Sequence, residues 1–183
     1  MADARHVELI RSGVTAFNAW RGTNSHERPD LSGADLSGLS LEGAALRGSD
    51  LAGTSFAVAD LAGADFSEAD LSGATLTGAD LSGAQFQAAV MAGCELSFAT
   101  LTEGDLRGAD LSGARLTEAV LHGARLAGAH LEGALLRRAI LTGADLSQAD
   151  LAGADLTGAI LEGAILPMSL ARAAARRPED PTE

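Results

Sequence analysis

The sequence predicts an all-β solenoid, a rod in which the chain winds through stacked coils, and three observations lead to this prediction. A five-residue repeat runs from residue 29 to residue 168 in 28 copies, without one insertion or deletion. Its central residue is Leu in 24 copies, and its first residue is Ala in 22. Its fifth position holds 19 of the 22 glycines of the chain. A strict period of five fits neither a helix nor a simple strand.

The spacing within each repeat predicts that the coil is square. The first and third residues lie two apart, so an extended backbone points both apolar side chains to one side. The fifth residue, usually Gly, supplies the positive φ of a type II turn. A chain that turns a corner every five residues closes a square after four repeats, which gives a coil of 20 residues. Four ladders of leucine then fill the interior, although only 3% of the residues are aromatic.

The segments outside the repeats are predicted to cover the ends of the solenoid, which would otherwise leave the core bare. Residues 1–28 are predicted to form a capping helix, over about residues 5–20, and a polar connector. The apolar side chains of this helix recur mostly at spacings of three and four. They are Val7, Ile10, Val14, Phe17 and Trp20. Residues 169–183 are predicted to form a short helix, Leu170 to Arg176, and an acidic tail.

The chain is strongly acidic, with 25 Asp and Glu residues, 13 arginines, no lysine and a net charge of −12. Such a chain repels nucleic acid and anionic membrane surfaces and attracts basic partners. Residues 29–108 hold 12 acidic residues and two arginines, whereas residues 109–168 hold seven and four. Residues 20 apart should share a face, so Asp30, Asp50 and Asp70 line up on one wall. The rod therefore has an acidic N-terminal arm.

The C-terminal coils carry an apolar stripe at positions where the repeat usually has an outward polar residue. The stripe comprises Val120, Leu135, Ile140, Ile160 and Ile165. Exposed apolar patches on a soluble rod usually mark an interface. Two hypotheses account for it. Either the C-terminal helix folds back on the stripe through Leu170, or two copies form a two-fold dimer through the C-terminal coils.

The residues argue against catalysis and metal binding. The four histidines lie on the N-terminal segment and on separate faces, and no pair has the spacing of metal ligands. Cys94, the single cysteine, occupies an inward small-residue position, so its expected role is packing. No signal-like segment and no run of 18 apolar residues is present. We expect a cytoplasmic protein that is not an enzyme, needs no cofactor or metal, and binds neither membranes nor nucleic acid directly.

The A-(D/N)-L-x-G pattern, as in Ala34–Gly38 and Ala69–Gly73, resembles the pentapeptide repeat proteins over 140 residues. The resemblance implies a right-handed quadrilateral β-helix of about seven coils, roughly 34 Å long at the ~4.8 Å spacing of strands. The best-understood family members are dimeric acidic rods that resemble duplex DNA. They bind DNA gyrase and topoisomerase IV, and they inhibit the enzyme or protect it from gyrase poisons, as in quinolone resistance or the self-immunity of antibiotic producers.

This resemblance favours a DNA mimic that binds DNA gyrase or topoisomerase IV. Duplex DNA of ~34 Å carries about 20 charges, and the repeats carry −13 in the same length. The alternative is a rigid protein-binding scaffold with no topoisomerase role. In the DNA-mimic interpretation, the partner contacts the aspartates of the acidic arm. These are Asp30, Asp50, Asp60, Asp65, Asp70 and Asp80.

Overall fold

Residues 20 apart in the sequence pair with one another throughout the repeats. The computed structural model describes residues 2–168, and parallel bridges between residues i and i+20 run from Asp30 to Ile165. The bridged residues form four columns, one on each side of the coil, which we call faces 1 to 4. Faces 1 to 4 begin at Asp30, Asp35, Ser40 and Ala45, respectively, and each contains seven residues. The predicted β-helix, with its period of 20, is confirmed.

Backbone hydrogen bonds join each coil to the next. The N–H of the central Leu31 donates to the carbonyl of Asp50 at 2.8 Å, and the N–H of Gly33 donates to that of Ala52 at 2.8 Å. Gly33 has a φ of 68°, in the left-handed region that a side chain rarely adopts. Each side of the square therefore contributes a single bridged residue, flanked by turns, rather than a long strand.

The interior is built from the central and first residues of the repeats. The central leucines are fully buried, except in the last coil, where Leu156 and Leu161 are half-buried. Phe66 and Phe86 occupy the same ladder one coil apart, and their rings stack with centroids 4.8 Å apart. The coil spacing equals the stacking distance of two rings, so phenylalanine replaces leucine there without disturbing the period.

The N-terminal segment contains two helices, and the prediction of a single helix over residues 5–20 is wrong. Helix α1 spans Ala4–Arg11 and helix α2 spans Val14–Thr23. Between them, Gly13 has a φ of 120°, which no helical residue adopts. The apolar spacing continues across this break, because the apolar residues of both helices pack against the core. That continuity is why the pattern suggested one helix.

Both helices lie on the first coil. Ile10 and Phe17 are buried in the same cluster as the leucines, and Val7, Val14 and Trp20 pack against that cluster. The predicted inward face of this segment thus contacts the core in the structure.

Polar side chains of the helices pair with the edge of the first coil. Arg11 donates to the carbonyl of Asp35 at 2.7 Å. Asn18 donates to the carbonyl of Gly43 at 2.9 Å and accepts the N–H of Ala45 at 2.8 Å. The Asp35 carbonyl and the Ala45 N–H have no preceding coil to bond, unlike their counterparts in later coils, so the helices satisfy part of an otherwise open edge.

The predicted C-terminal helix, Leu170 to Arg176, lies outside the described residues. Within residues 2–168, neither helix has the length and apolar character that crossing a membrane requires.

Candidate partner-binding surface

The structure places the six predicted aspartates on three of the four faces. Face 1 holds Asp30, Asp50 and Asp70, face 3 holds Asp60 and Asp80, and face 4 holds Asp65. Faces 1 and 3 are opposite sides of the square coil, so a flat partner cannot contact both. The N-terminal half of the rod is therefore acidic around most of its circumference.

Each of these aspartates also has a structural role in its own turn. The carboxylate accepts the N–H of the residue two positions later, from Ser72 to Asp70 at 3.0 Å and from Ser82 to Asp80 at 2.9 Å. The serine hydroxyls donate to the same carboxylates at 2.7 and 2.6 Å. The hydroxyl and backbone hydrogen bonds from Ser72 hold the pKa of Asp70 below its usual range. The Asp70 carboxylate is thus ionised and oriented at neutral pH.

This structural role was not predicted from the sequence. The signal is the Asp-Leu-Ser spacing, which is typical of an Asx turn, where a carboxylate accepts a backbone N–H two residues on. The same hydrogen bonds recur at Asp30 and Asp110, and the pKa of each carboxyl is lowered by its serine.

From residue 90 onward, arginines pair with most of the acidic bridged residues of faces 2 and 4. On face 2, Arg115 pairs with Glu95 at 2.7 Å. On face 4, the buried carboxylate of Asp105 pairs with Arg107 at 2.6 Å and with Arg125 at 3.2 Å. These ion pairs reduce the free charge on those faces.

Residues 29–88 form few such pairs. Within residues 2–168, Asp60, Asp65 and Asp80 form no ion pair, and the contact of Arg28 with Asp50 is long, at 3.8 Å. Asp60 and Asp80 are exposed and are direct bridge partners on neighbouring coils. Like charges in directly opposed positions repel each other, so a cation from a partner would relieve this repulsion.

The apolar stripe is continuous on face 3. Val120, Ile140 and Ile160 are successive bridge partners, with Ile160 49% exposed and the other two half-buried. Ile165, on face 4, is 57% exposed, and Leu135, on face 2, is half-buried. Leu170, the last predicted member, lies outside the described residues. Face 3 therefore changes from acidic to apolar along the rod.

A second apolar feature, which was not predicted from the sequence, lies at the corner between faces 2 and 3. Val58 is 70% exposed and Phe98 is 58% exposed. Both occupy the fifth position of a repeat, where Gly is usual, and both have a positive φ, of 53° and 62°. The signal in the sequence was the absence of Gly at these two positions.

Within residues 2–168, no group of three His, Cys, Asp or Glu side chains could hold a metal ion. The Cys94 thiol is buried and donates to the carbonyl of Leu71 at 2.9 Å, and burial raises its pKa to about 12. A thiol with this pKa stays protonated and is a poor nucleophile at neutral pH, which agrees with a packing role.

The four-sided coils and their charged outer walls define a β-helical solenoid. The family model for pentapeptide repeats matches residues 30–67, 55–93, 94–133 and 129–166. The chain belongs to the pentapeptide repeat family. Proteins of this kind are generally structural or binding scaffolds.

Solved structures of other pentapeptide repeat proteins are similar to this one. QnrB1, a plasmid-mediated fluoroquinolone resistance protein, is 21% identical, with a TM-score of 0.51 over 78% of this chain and 84% of that chain. A thylakoid lumen protein of Arabidopsis thaliana is 40% identical over 57% and 70% of the two chains, with a TM-score of 0.31. HetL, involved in heterocyst differentiation regulation in the cyanobacterium Nostoc, is 33% identical over 75% and 85%, with a TM-score of 0.27.

The likeness to QnrB1 shows a shared fold. A comparison with curated protein sequences finds no match.

Proposed function

We propose that this protein is a non-enzymatic acidic rod that binds a type II topoisomerase, DNA gyrase, in the place of duplex DNA. It would thereby protect the enzyme from a gyrase poison or inhibit it as such a poison does. The observation that supports this proposal is the set of oriented carboxylates without arginine partners in the N-terminal half, above all Asp60, Asp65 and Asp80.

The physical basis is the fit of a rigid anionic rod to a cationic protein groove. Turn hydrogen bonds fix the carboxylates before binding, so few side chains lose freedom when the complex forms. Neighbouring carboxylates on one face lie about 4.8 Å apart along the axis. A protein surface that neutralises the phosphates of DNA can pair with them in the same way, and long-range attraction speeds the encounter.

The same proposal includes a dimer. The stripe on face 3 would join two copies through their C-terminal coils, so that both acidic arms point outward. The molar mass in solution tests this part. We further propose that the β-helix is right-handed with seven coils, that α1 and α2 cap it, and that the protein acts in the cytoplasm.

A supercoiling assay tests the function. Purified DNA gyrase is titrated with the protein, with and without a poison that stabilises the cleaved DNA complex. Supercoiling restored in the poisoned reaction would identify protection, and supercoiling lost without the drug would identify inhibition. The absence of either effect at micromolar protein would contradict the proposal and favour a scaffold for another partner.

A matched pair of variants connects the effect to the acidic arm. In D60N/D65N/D80N, each Asn keeps an oxygen that can accept the turn hydrogen bond, so the fold should persist while three charges are lost. We expect a shift of the half-effective concentration of about tenfold or more. The control D110N/D145N/D150N removes three charges, with the same turn bonds, from the other half. An equal effect of both variants would show that only net charge matters.

A further inference from the structure

At the corner between faces 2 and 3, two apolar side chains are exposed and their backbone is in the left-handed region. Neither feature favours folding. Val58 and Phe98 project from fifth positions two coils apart, roughly 10 Å along the axis, and both are exposed. Gly78 lies between them, and a Cβ built there would be 3.4 Å from Cγ1 of Val58. The corner thus presents two apolar tips on either side of a glycine, with Val58 reaching toward that glycine.

The backbone at these tips is in the left-handed region. A β-branched or bulky residue there is an outlier, because its Cβ crowds the backbone. Three of the other non-glycine residues at fifth positions have compensating contacts: Glu68 pairs with Arg47 at 2.6 Å, and Glu118 pairs with Arg138 at 3.2 Å. Val58 and Phe98 have neither a buried environment nor a charge partner. Nothing within the described fold accounts for their side chains.

The charges beside the corner indicate what could cover it. Asp60 and Asp80 follow Val58 and Gly78 by two residues on face 3, and both are exposed without an ion pair in residues 2–168. On the other side, face 2 carries the neutral Ser55 and Thr75 and, beside Phe98, Glu95, whose charge is paired with Arg115 at 2.7 Å. The surface is therefore an apolar ridge with two free carboxylates along one flank. Nucleic acid, anionic lipid and the acidic arm of a second copy would all be repelled.

We propose that this corner is the anchor by which the rod holds its protein partner. Phe98 and Val58 insert into an apolar recess, and Asp60 and Asp80 pair with Lys or Arg side chains on the rim of that recess. The inference rests on the proposed function, because it assigns this corner to the contact with the basic DNA-binding surface of the topoisomerase. An aromatic side chain in a closed recess commonly dominates an interface, whereas rim charges mainly govern the rate and salt dependence of binding.

The repeat itself supplies a clean variant. V58G/F98G restores the residue that most repeats have at the fifth position, so the variant removes both side chains and relieves the backbone. We therefore expect V58G/F98G to fold like the wild type, and its midpoint of thermal unfolding checks this. A loss of binding would then result from the missing side chains. The control A88G/Q148G makes the same change at two other fifth positions with positive φ, of 56° and 59°. It removes no large apolar side chain and lies away from the corner.

The measurement is the dissociation constant for purified DNA gyrase holoenzyme at several salt concentrations. We expect V58G/F98G to bind about tenfold or more weakly with an unchanged salt dependence, and A88G/Q148G to bind like the wild type. D60N/D80N should bind more weakly and lose part of the salt dependence.

Each outcome decides between the two proposals. If gyrase binds wild type and V58G/F98G equally, the anchor is wrong and the proposed function stands. If V58G/F98G and A88G/Q148G weaken binding equally, backbone change is responsible and the anchor is also wrong. If wild type does not bind gyrase, both the function and the anchor assigned to it are overturned.

Discussion

The carboxylate of Asp105 contacts three side chains of the fold, those of Gln87, Arg107 and Arg125. Its carboxylate accepts Nε of Arg107 at 2.7 Å and the amide of Gln87 at 2.8 Å, and it pairs with Arg125 at 3.2 Å. The hydrogen bond from the Arg107 side chain, outweighing burial, holds the pKa of Asp105 below its usual range. This residue joins three successive coils on face 4, through Gln87 and Arg125, and its charge should stabilise them.

The D105N variant tests this role through pH. A depressed pKa in the folded state means that ionised Asp105 stabilises the fold above its unfolded pKa, about 3.9. The contribution is lost as the pH falls through the folded pKa. We expect D105N to lower the free energy of unfolding by about 1–2 kcal/mol at pH 7, and the difference from wild type to shrink below pH 4. Urea denaturation at pH 7 and pH 3 measures it.

D60N is the control, because the Asp60 carboxylate accepts only the N–H of Ala62 in its turn, at 3.2 Å. It should change stability little at either pH. A D105N difference of the same size at pH 3 as at pH 7 would mean that the shape of the side chain, rather than its charge, is responsible.

At the same scale, the sequence predicted the inward residues and missed some polar ones. The positions of the buried leucines follow directly from the period, because every copy repeats one local conformation. The buried His6 could not be predicted in this way. Its Nδ1 accepts the N–H of Asp30 at 3.1 Å and its Nε2 lies 3.2 Å from Glu27. These partners are 24 and 21 residues away, and His6 itself lies outside the repeats, so no local spacing marks them.

Among the elements, α1 and α2 show what an amphipathic pattern can predict about a helix and what it cannot. The spacing identified the residues that pack on the core, such as Ile10 and Phe17. It did not identify the break, because periodicity records which side of a helix is apolar and not whether the helix is continuous. Gly13 was the available signal.

Asn18 of α2 should protect the edge of the first coil. Its side chain bonds both the N–H of Ala45 and the carbonyl of Gly43, so it takes the place of a preceding coil. We expect N18A to raise the hydrogen-exchange rate of the Ala45 amide by at least about tenfold, since that N–H loses its partner. The amide of Asp65, which donates to the carbonyl of Ala44 at 3.0 Å, should change much less.

Asn24 provides the matched control. It ends α2 and bonds only within the N-terminal segment, to Trp20 and Thr23. N24A should leave exchange at Ala45 unchanged. Equal acceleration in N18A and N24A would show that loosening of the whole helix, rather than the two edge bonds, sets the exchange rate.

At the scale of the whole rod, the strict period allowed the faces to be assigned from sequence alone. Stepping by 20 residues places Val120, Ile140 and Ile160 in one column, and the bridges confirm that column. The corner of Val58 and Phe98 was not predicted, because fifth positions were expected to hold only turn residues. The identity of the partner depends on a surface that the chain does not itself contain.

Face 3 also determines how two copies could associate. Its C-terminal half is apolar and its N-terminal half carries the free Asp60 and Asp80, so two rods in full overlap would repel each other. A two-fold axis at the C-terminal coils brings the stripes together and keeps the acidic halves, with ten net negative charges each over residues 29–108, apart. Such an interface is self-complementary, because each copy contributes the same patch.

The V120T/I140T variant tests this arrangement. Thr keeps the β-branched shape that suits the bridged column, so the rod should fold while the stripe becomes polar. By light scattering at increasing concentration, we expect wild type to approach twice 18.5 kDa and the variant to remain at 18.5 kDa. V90T, which changes the exposed Val90 on face 1, should behave like wild type. A wild-type mass of 18.5 kDa at every concentration would rule out the dimer, because the stripe would then be insufficient to hold two copies together.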